Sequence, residues 1–147
     1  MKTVTKILIL ALCILVSLSS CTFLKSLVND VAAETERVAH FAEDFADLVD
    51  NPTIENAESL VHPSSPLTAE AVISKIENNE KLSNLDPTAE IQVGEIKNVN
   101  VSYHDEKLGG NLYTAECDII VGDVTITVHL ELLSTEAGFG LYDFDIK

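Results

Sequence analysis

The chain is predicted to fold as an α+β domain, with a long helix and two short helices packed on a curved antiparallel sheet of about four strands. Two observations carry this prediction. Apolar residues recur at three- and four-residue steps through the first half, and beyond Thr88 they alternate instead. The breaks between the alternating runs are short and contain glycine, which suits hairpins and therefore antiparallel neighbours. Helices followed by a meander bury an apolar helix face on an apolar sheet face.

The first helix is marked by Leu24, Leu27, Val28, Val31, Val38, Phe41, Ala42, Phe45, Leu48 and Val49, a single stripe along an amphipathic helix. It stops at Asp50-Asn51-Pro52, because proline disfavours helical geometry in the residue before it. Pro52 is itself suited to opening a new helix, and Ile54, Ala57, Leu60 and Val61 predict a short second one. His62-Pro63-Ser64-Ser65-Pro66 reads as a turn. Thr68 then caps a third helix that turns Val72, Ile73 and Ile76 inward. Residues 78–87 read as a loop.

Ile91, Val93, Val99, Val101 and Tyr103 mark a first long strand or bent pair, with Gly94 at a bulge. Gly109-Gly110 turns the chain. Tyr113, Ala115, Cys117, Ile119 and Val121 alternate against Thr114, Glu116 and Asp118, and Gly122-Asp123 offers a tight hairpin. The strand from Val124 to Leu132 alternates without a break. After a loop from Ser134 to Gly138, the last strand carries Tyr142, Phe144 and Ile146 on one face.

The N-terminus reads differently. Lys2 and Lys6 precede the unbroken apolar run Ile7 to Val16, too short to span a bilayer comfortably but suited to the core of an export signal. Leu18-Ser19-Ser20-Cys21 follows and resembles the bacterial lipobox. That resemblance implies a signal peptide over 1–20, cleavage between Ser20 and Cys21, and a lipid on Cys21. Ordinary cleavage after Ser19, or an uncleaved anchor, is the competing reading. With lipidation, Cys13 leaves with the signal and Cys117 remains alone, so no disulfide framework forms. Alone in a strand, Cys117 reads as a small core residue rather than a reactive thiol. Almost no Gly/Ser-rich spacer follows Cys21, so a single domain over 21–147 is expected to begin near the membrane.

Nine basic against 24 acidic residues give a formal charge of -15, which disfavours phosphate backbones and excludes nucleic acid as a partner. A hydrophobic content of 46% is too high for a disordered acidic chain.

The chemistry-bearing residues are sparse. His40 and Asp44 are spaced for one helix face, where a metal pair and a solvated ion pair are both open. His129 and Glu131, with Glu116 and Asp118, fall on the sheet face opposite the core, where acid-base work is conceivable and a solvated or partner-facing surface is the favoured reading. Asp143 and Asp145 flank Phe144 and could hold calcium weakly, with too few ligands for a dedicated site. There is no Walker loop, nucleophile elbow, zinc-binding spacing or dinucleotide turn, so no cofactor is implied.

The order of elements, together with Glu58-Ser59-Leu60-Val61-His62-Pro63 and the aromatic strand Gly138-Phe139-Gly140-Leu141-Tyr142-Asp143-Phe144-Asp145-Ile146, resembles the nuclear-transport-factor-2-like (cystatin-like) superfamily. In particular it is similar to small bacterial lipoproteins of that cone-shaped fold. The similarity runs from about Asp30 to Lys147; relatives often carry Trp where Phe139 stands. The Gln-x-Val-x-Gly motif of cystatin inhibitors is absent, Gln92-Val93-Gly94 being only a fragment. The resemblance implies a pocket at the open end of the cone. Catalytic members place a carboxylate or histidine there, whereas the inward positions in this chain are almost wholly apolar. The expected function is a non-catalytic, lipid-anchored, extracytoplasmic module in the cell or outer membrane, binding an envelope protein or an apolar small molecule. A small isomerase, dehydratase or hydrolase, and a module self-associating through Ile120, Thr125 and Thr127, are the alternatives.

Overall fold

The computed structural model describes residues 32–86 and 88–147. Ser20, Cys21, the signal peptide expected over 1–20, and Leu24, Leu27, Val28 and Val31 lie outside the described residues. Val38–Lys147 forms one compact unit.

Helix α1 covers residues 32–50. Helices α2 (Ile54–Leu60), α3 (Ala69–Glu77) and α4 (Glu80–Ser83) follow, and then strands β1 (Ile91–Asp105), β2 (Gly110–Val121), β3 (Val124–Thr135) and β4 (Gly138–Ile146). The four strands form one open antiparallel sheet in the order β1-β2-β3-β4. The fold class is therefore α+β, as expected. Helix α4 is a correction, because it lies within the segment read as a loop.

The starts of α2, α3 and α4 each have a side-chain reason. The Thr53 hydroxyl accepts from the Asn56 N–H at 3.2 Å, and the Thr68 hydroxyl from the Ala71 N–H at 3.2 Å. The Asn79 side chain accepts from the N–H groups of Lys81 and Leu82, which lets the chain re-enter a helix directly after α3.

Val38, Phe41, Ala42, Phe45 and Leu48 of α1 join Val72, Ile73 and Ile76 of α3 in one core with Tyr113, Ala115, Cys117 and Ile119 of β2. Ile126, Val128, Leu130 and Leu132 of β3 and Leu141 and Phe144 of β4 complete it. The rings of Phe45 and Phe144 meet edge to face with centroids 5.2 Å apart. Phe139 stands edge-on to both Phe41 and Tyr113.

The β2–β3 register is unbroken from Asn111↔Ser134 to Val121↔Val124, which makes Gly122-Asp123 a two-residue turn. Gly122 has a φ of 59°, where glycine carries no steric cost. The β3–β4 hairpin is tighter than the loop expected at 134–138, for Thr135 pairs with Gly138. The edge strand β1 slips register at three places, around Gly94, Asn98 and His104. Asn98 and His104 take φ values of 55° and 54°, and such irregularity makes an edge a poor template for a further strand.

The last strand corrects the sequence reading. Glu131 pairs with Asp143 but Leu132 pairs with Leu141, so Tyr142 is an extra residue bulged out of the ladder. Leu141 and Phe144, not Tyr142, are therefore buried with the core. The Tyr142 carbonyl accepts from the Ser65 hydroxyl at 2.6 Å.

Val61 makes a parallel bridge to Leu141, and the His62 N–H donates to the Leu141 carbonyl at 2.9 Å. Gly140 makes this approach possible: a Cβ there would stand 2.8 Å from the Leu60 carbonyl oxygen and 2.9 Å from the His62 nitrogen. The two stretches that carried the family resemblance are thus in direct contact.

Candidate functional site

The candidate site is a pocket of about 380 Å³ where the ends of α1 and α3, helix α4 and the start of β1 meet. Ile76 and Val121 form a buried floor. Val49, Pro52, Leu82, Leu85, Ala89 and Ile91 make half-buried apolar walls. Asp50, Glu77, Ser83 and Asp86 stand exposed around the rim.

Local sequence builds this wall. After the Asn79 cap, α4 is a single turn closed by the Asn84 side chain, which donates to the Glu80 carbonyl at 2.6 Å. One face of that turn supplies Leu82, and Leu85 follows three residues on. The Asp86 carboxylate then accepts from the Thr88 N–H at 2.9 Å and hydroxyl at 2.7 Å, ordering the entry to β1. Those bonds hold the Asp86 carboxyl below its ordinary value, so it is ionised at neutral pH. None of Asp50, Glu77 and Asp86 forms an ion pair among the described residues.

The sequence reading missed this pocket. Asp50, Glu77, Leu82, Leu85 and Asp86 come from separate elements, and a helix of one turn has no period to detect. The available signal was Leu82 and Leu85 behind the helix-capping Asn79.

The residues flagged from sequence are placed elsewhere. His40 Nδ1 lies 3.7 Å from Asp44 Oδ2 on an exposed face of α1. A backbone hydrogen bond and the Asp44 carboxylate raise the His40 pKa. That is the solvated pair of the simpler reading. On the outer sheet face, Asp118 accepts from the Thr127 hydroxyl at 2.7 Å and from Lys97 at 3.1 Å. Glu116 accepts from Lys147 and from the Asn98 amide. His129 and Glu131 are 3.9 Å apart on the same face. The Asp118 and Glu116 contacts cross between strands, the His129–Glu131 contact stays within β3, and none of these residues lines the pocket.

Asp143 is not free for calcium, since Lys75 from α3 lies 3.4 Å from its carboxylate. The Lys75 ammonium also donates to the Phe144 carbonyl and sits 4.5 Å from the centre of that ring. Among the described residues no group of three or more His, Cys, Asp or Glu side chains is arranged to hold a metal ion.

Among the described residues, the buried polar residue is one that sequence assigned to a turn. His62 is buried, with Nδ1 accepting from the Ser64 N–H at 3.0 Å and Nε2 3.0 Å from the Thr135 hydroxyl. An accepting Nδ1 leaves the proton on Nε2, so the ring is a neutral structural donor to Thr135. Burial, and secondarily Asp118, push the Cys117 thiol up to about 11, which makes it inert.

A second cleft of about 270 Å³ lies between α1 and α2. There the Asn56 amide and Ser59 hydroxyl donate to backbone carbonyls, and Asp44 and Asp47 line the exposed edge.

No family model, no curated protein and no solved structure matches this chain.

Proposed function

We propose that this chain is a non-catalytic binding module, held outside the cytoplasm by a lipid on Cys21, that takes an apolar small molecule into the pocket bounded by α4. The observation that carries the binding role is the pocket's chemistry: an apolar floor and walls under a polar rim, without a histidine, lysine or cysteine among its lining residues. Pockets of this kind recognise shape and apolar surface, with a few polar groups setting orientation. The four histidines lie elsewhere: His40 beside Asp44 on α1, His62 as a buried strut, His104 on β1 and His129 on the outer sheet face.

The cone-shaped fold of the nuclear-transport-factor-2-like superfamily is part of the same proposal. Helices backing a bulged four-stranded meander support it, as does the docking of Val61 and His62 on β4. The Lys2, Lys6, apolar run and Ser20-Cys21 order supports the anchor.

Native mass spectrometry of the chain extracted from membranes tests the binding role. A reproducible added mass beyond the N-terminal lipid, lost when Ala89→Phe fills the pocket, is the expected result. An adduct-free spectrum under conditions that retain weak ligands would contradict it. Cys21→Ala tests the anchor: continued membrane attachment of a cleaved, unacylated product would defeat it.

A further inference from the structure

We propose that the ligand of this pocket is a small amphiphile with an apolar body and a single cationic head, such as a protonated amine; the inference rests on the pocket being the binding site.

The mouth is negative on several sides. Asp50 ends α1, Glu77 ends α3 and Asp86 lies between α4 and β1, so three carboxylates from three segments line one opening. Two of these positions are unfavourable for the helices that carry them. A helix C-terminus bears partial negative charge and is stabilised by lysine or arginine, not by a carboxylate. Local sequence choices that oppose local stability concentrate at functional sites. Lys75, the basic residue of the last turn of α3, is engaged on β4 with Asp143 and the Phe144 carbonyl. Lys81 of α4 is exposed and does not line the pocket.

The convergence therefore adds negative potential at the mouth of an apolar cleft, where low-dielectric walls focus the field. A cationic head is attracted there, while the carboxylate of a fatty acid of the same size is repelled. At about 380 Å³ the cavity is near the lower end of the range for small-molecule sites, which suits a compact apolar body rather than a long chain.

Three probes of one shape and different charge test this on the full chain: 4-phenylbutylamine, 4-phenylbutanol and 4-phenylbutanoate, with affinities read by ligand-observed NMR at low and high salt. The amine is expected to bind about tenfold more tightly than the alcohol at low salt, and the acid most weakly, with the amine's advantage shrinking in salt. The double variant Asp50→Asn/Glu77→Gln, which keeps Asp86, should cut that advantage to about threefold or less, with the alcohol's affinity measured alongside as the uncharged reference. Ala89→Phe, or Ser83→Phe on the exposed rim should the first fail to fold, should weaken all three probes. Equal binding of amine and acid, or an amine preference that the double variant leaves undiminished, overturns the charge inference while leaving the pocket as a binding site. No binding of any probe, or binding that both blocking variants leave intact, overturns the pocket reading itself and the inference with it.

Discussion

The imidazole of His62 and the hydroxyl of Thr135 are 73 residues apart in sequence and 3.0 Å apart in space. The same hydroxyl accepts from the Ala137 N–H at 3.1 Å, so one oxygen ties the β3–β4 turn to the segment between α2 and α3. Because His62 is 1% exposed, removing it opens a cavity and takes away the ring's hydrogen bonds to the Ser64 N–H and the Thr135 hydroxyl. His62→Ala is expected to destabilise the chain by about 2–4 kcal/mol, the sum of a cavity and lost hydrogen bonds. Thr135→Val, which removes only the hydroxyl, should cost about 1–2 kcal/mol. Urea denaturation of both variants checks the order.

Gly140 is required by backbone proximity, not by its own φ. A methyl group there meets the Leu60 carbonyl and the His62 nitrogen, both main-chain atoms that cannot swing aside. Gly140→Ala should therefore cost about 2 kcal/mol or more and loosen the Val61–Leu141 bridge. Faster hydrogen exchange at the His62 amide, which donates to the Leu141 carbonyl, is the specific readout. A variant of unchanged stability would mean that the 60–62 segment is not seated on β4.

Cys117 is 1% exposed in the middle of β2, and its thiol is pushed up to about 11, first by burial and then by the neighbouring Asp118 carboxylate. At pH 8 it carries almost no thiolate, the nucleophilic form. Iodoacetamide should leave the Cys117 peptide unmodified in the native chain and label it fully in denaturant, as read by mass spectrometry. Rapid native labelling would contradict this burial.

Acid should weaken the outer sheet face in a defined direction. The Thr127 hydroxyl and Lys97 hold the Asp118 carboxyl below its ordinary value, and Lys147 and Asn98 do the same for Glu116. A depressed folded-state pKa contributes stability that is complete above the unfolded value and is lost as pH falls through the folded one. Thermal stability should therefore be steady above about pH 5 and fall below the ordinary carboxylate values of 3.8 and 4.5. Asp118→Asn should lie below the wild type at pH 7, and the two melting curves should converge towards pH 3.

Much of this architecture was legible from residue order, and the failures have physical causes. Phe41, Ala42, Phe45 and Leu48 appear inward on α1, and Ile126, Val128, Leu130 and Leu132 appear inward on β3, as their spacing required. The final strand was misread because a bulge at Tyr142 costs one residue of register, and no period within nine residues reveals which residue is the extra one. Helix α4 was misread because its single turn depends on the Asn79 cap more than on any repeat. Lys75 could not be assigned to Asp143 from sequence, since the two are 68 residues apart.

The sequence by itself determined the fold class, the helix-to-strand change near Thr88, most turn positions and the acidity of the surface. Each depends on neighbours within a few residues or on composition, so the order of residues is enough. Tertiary structure decided that His62 is a buried strut, that Gly140 is a backbone crossing, and that Asp50, Glu77 and Asp86 share one apolar mouth. Those facts depend on which distant segments are brought within bonding distance, and that is set only when the helices close over the sheet.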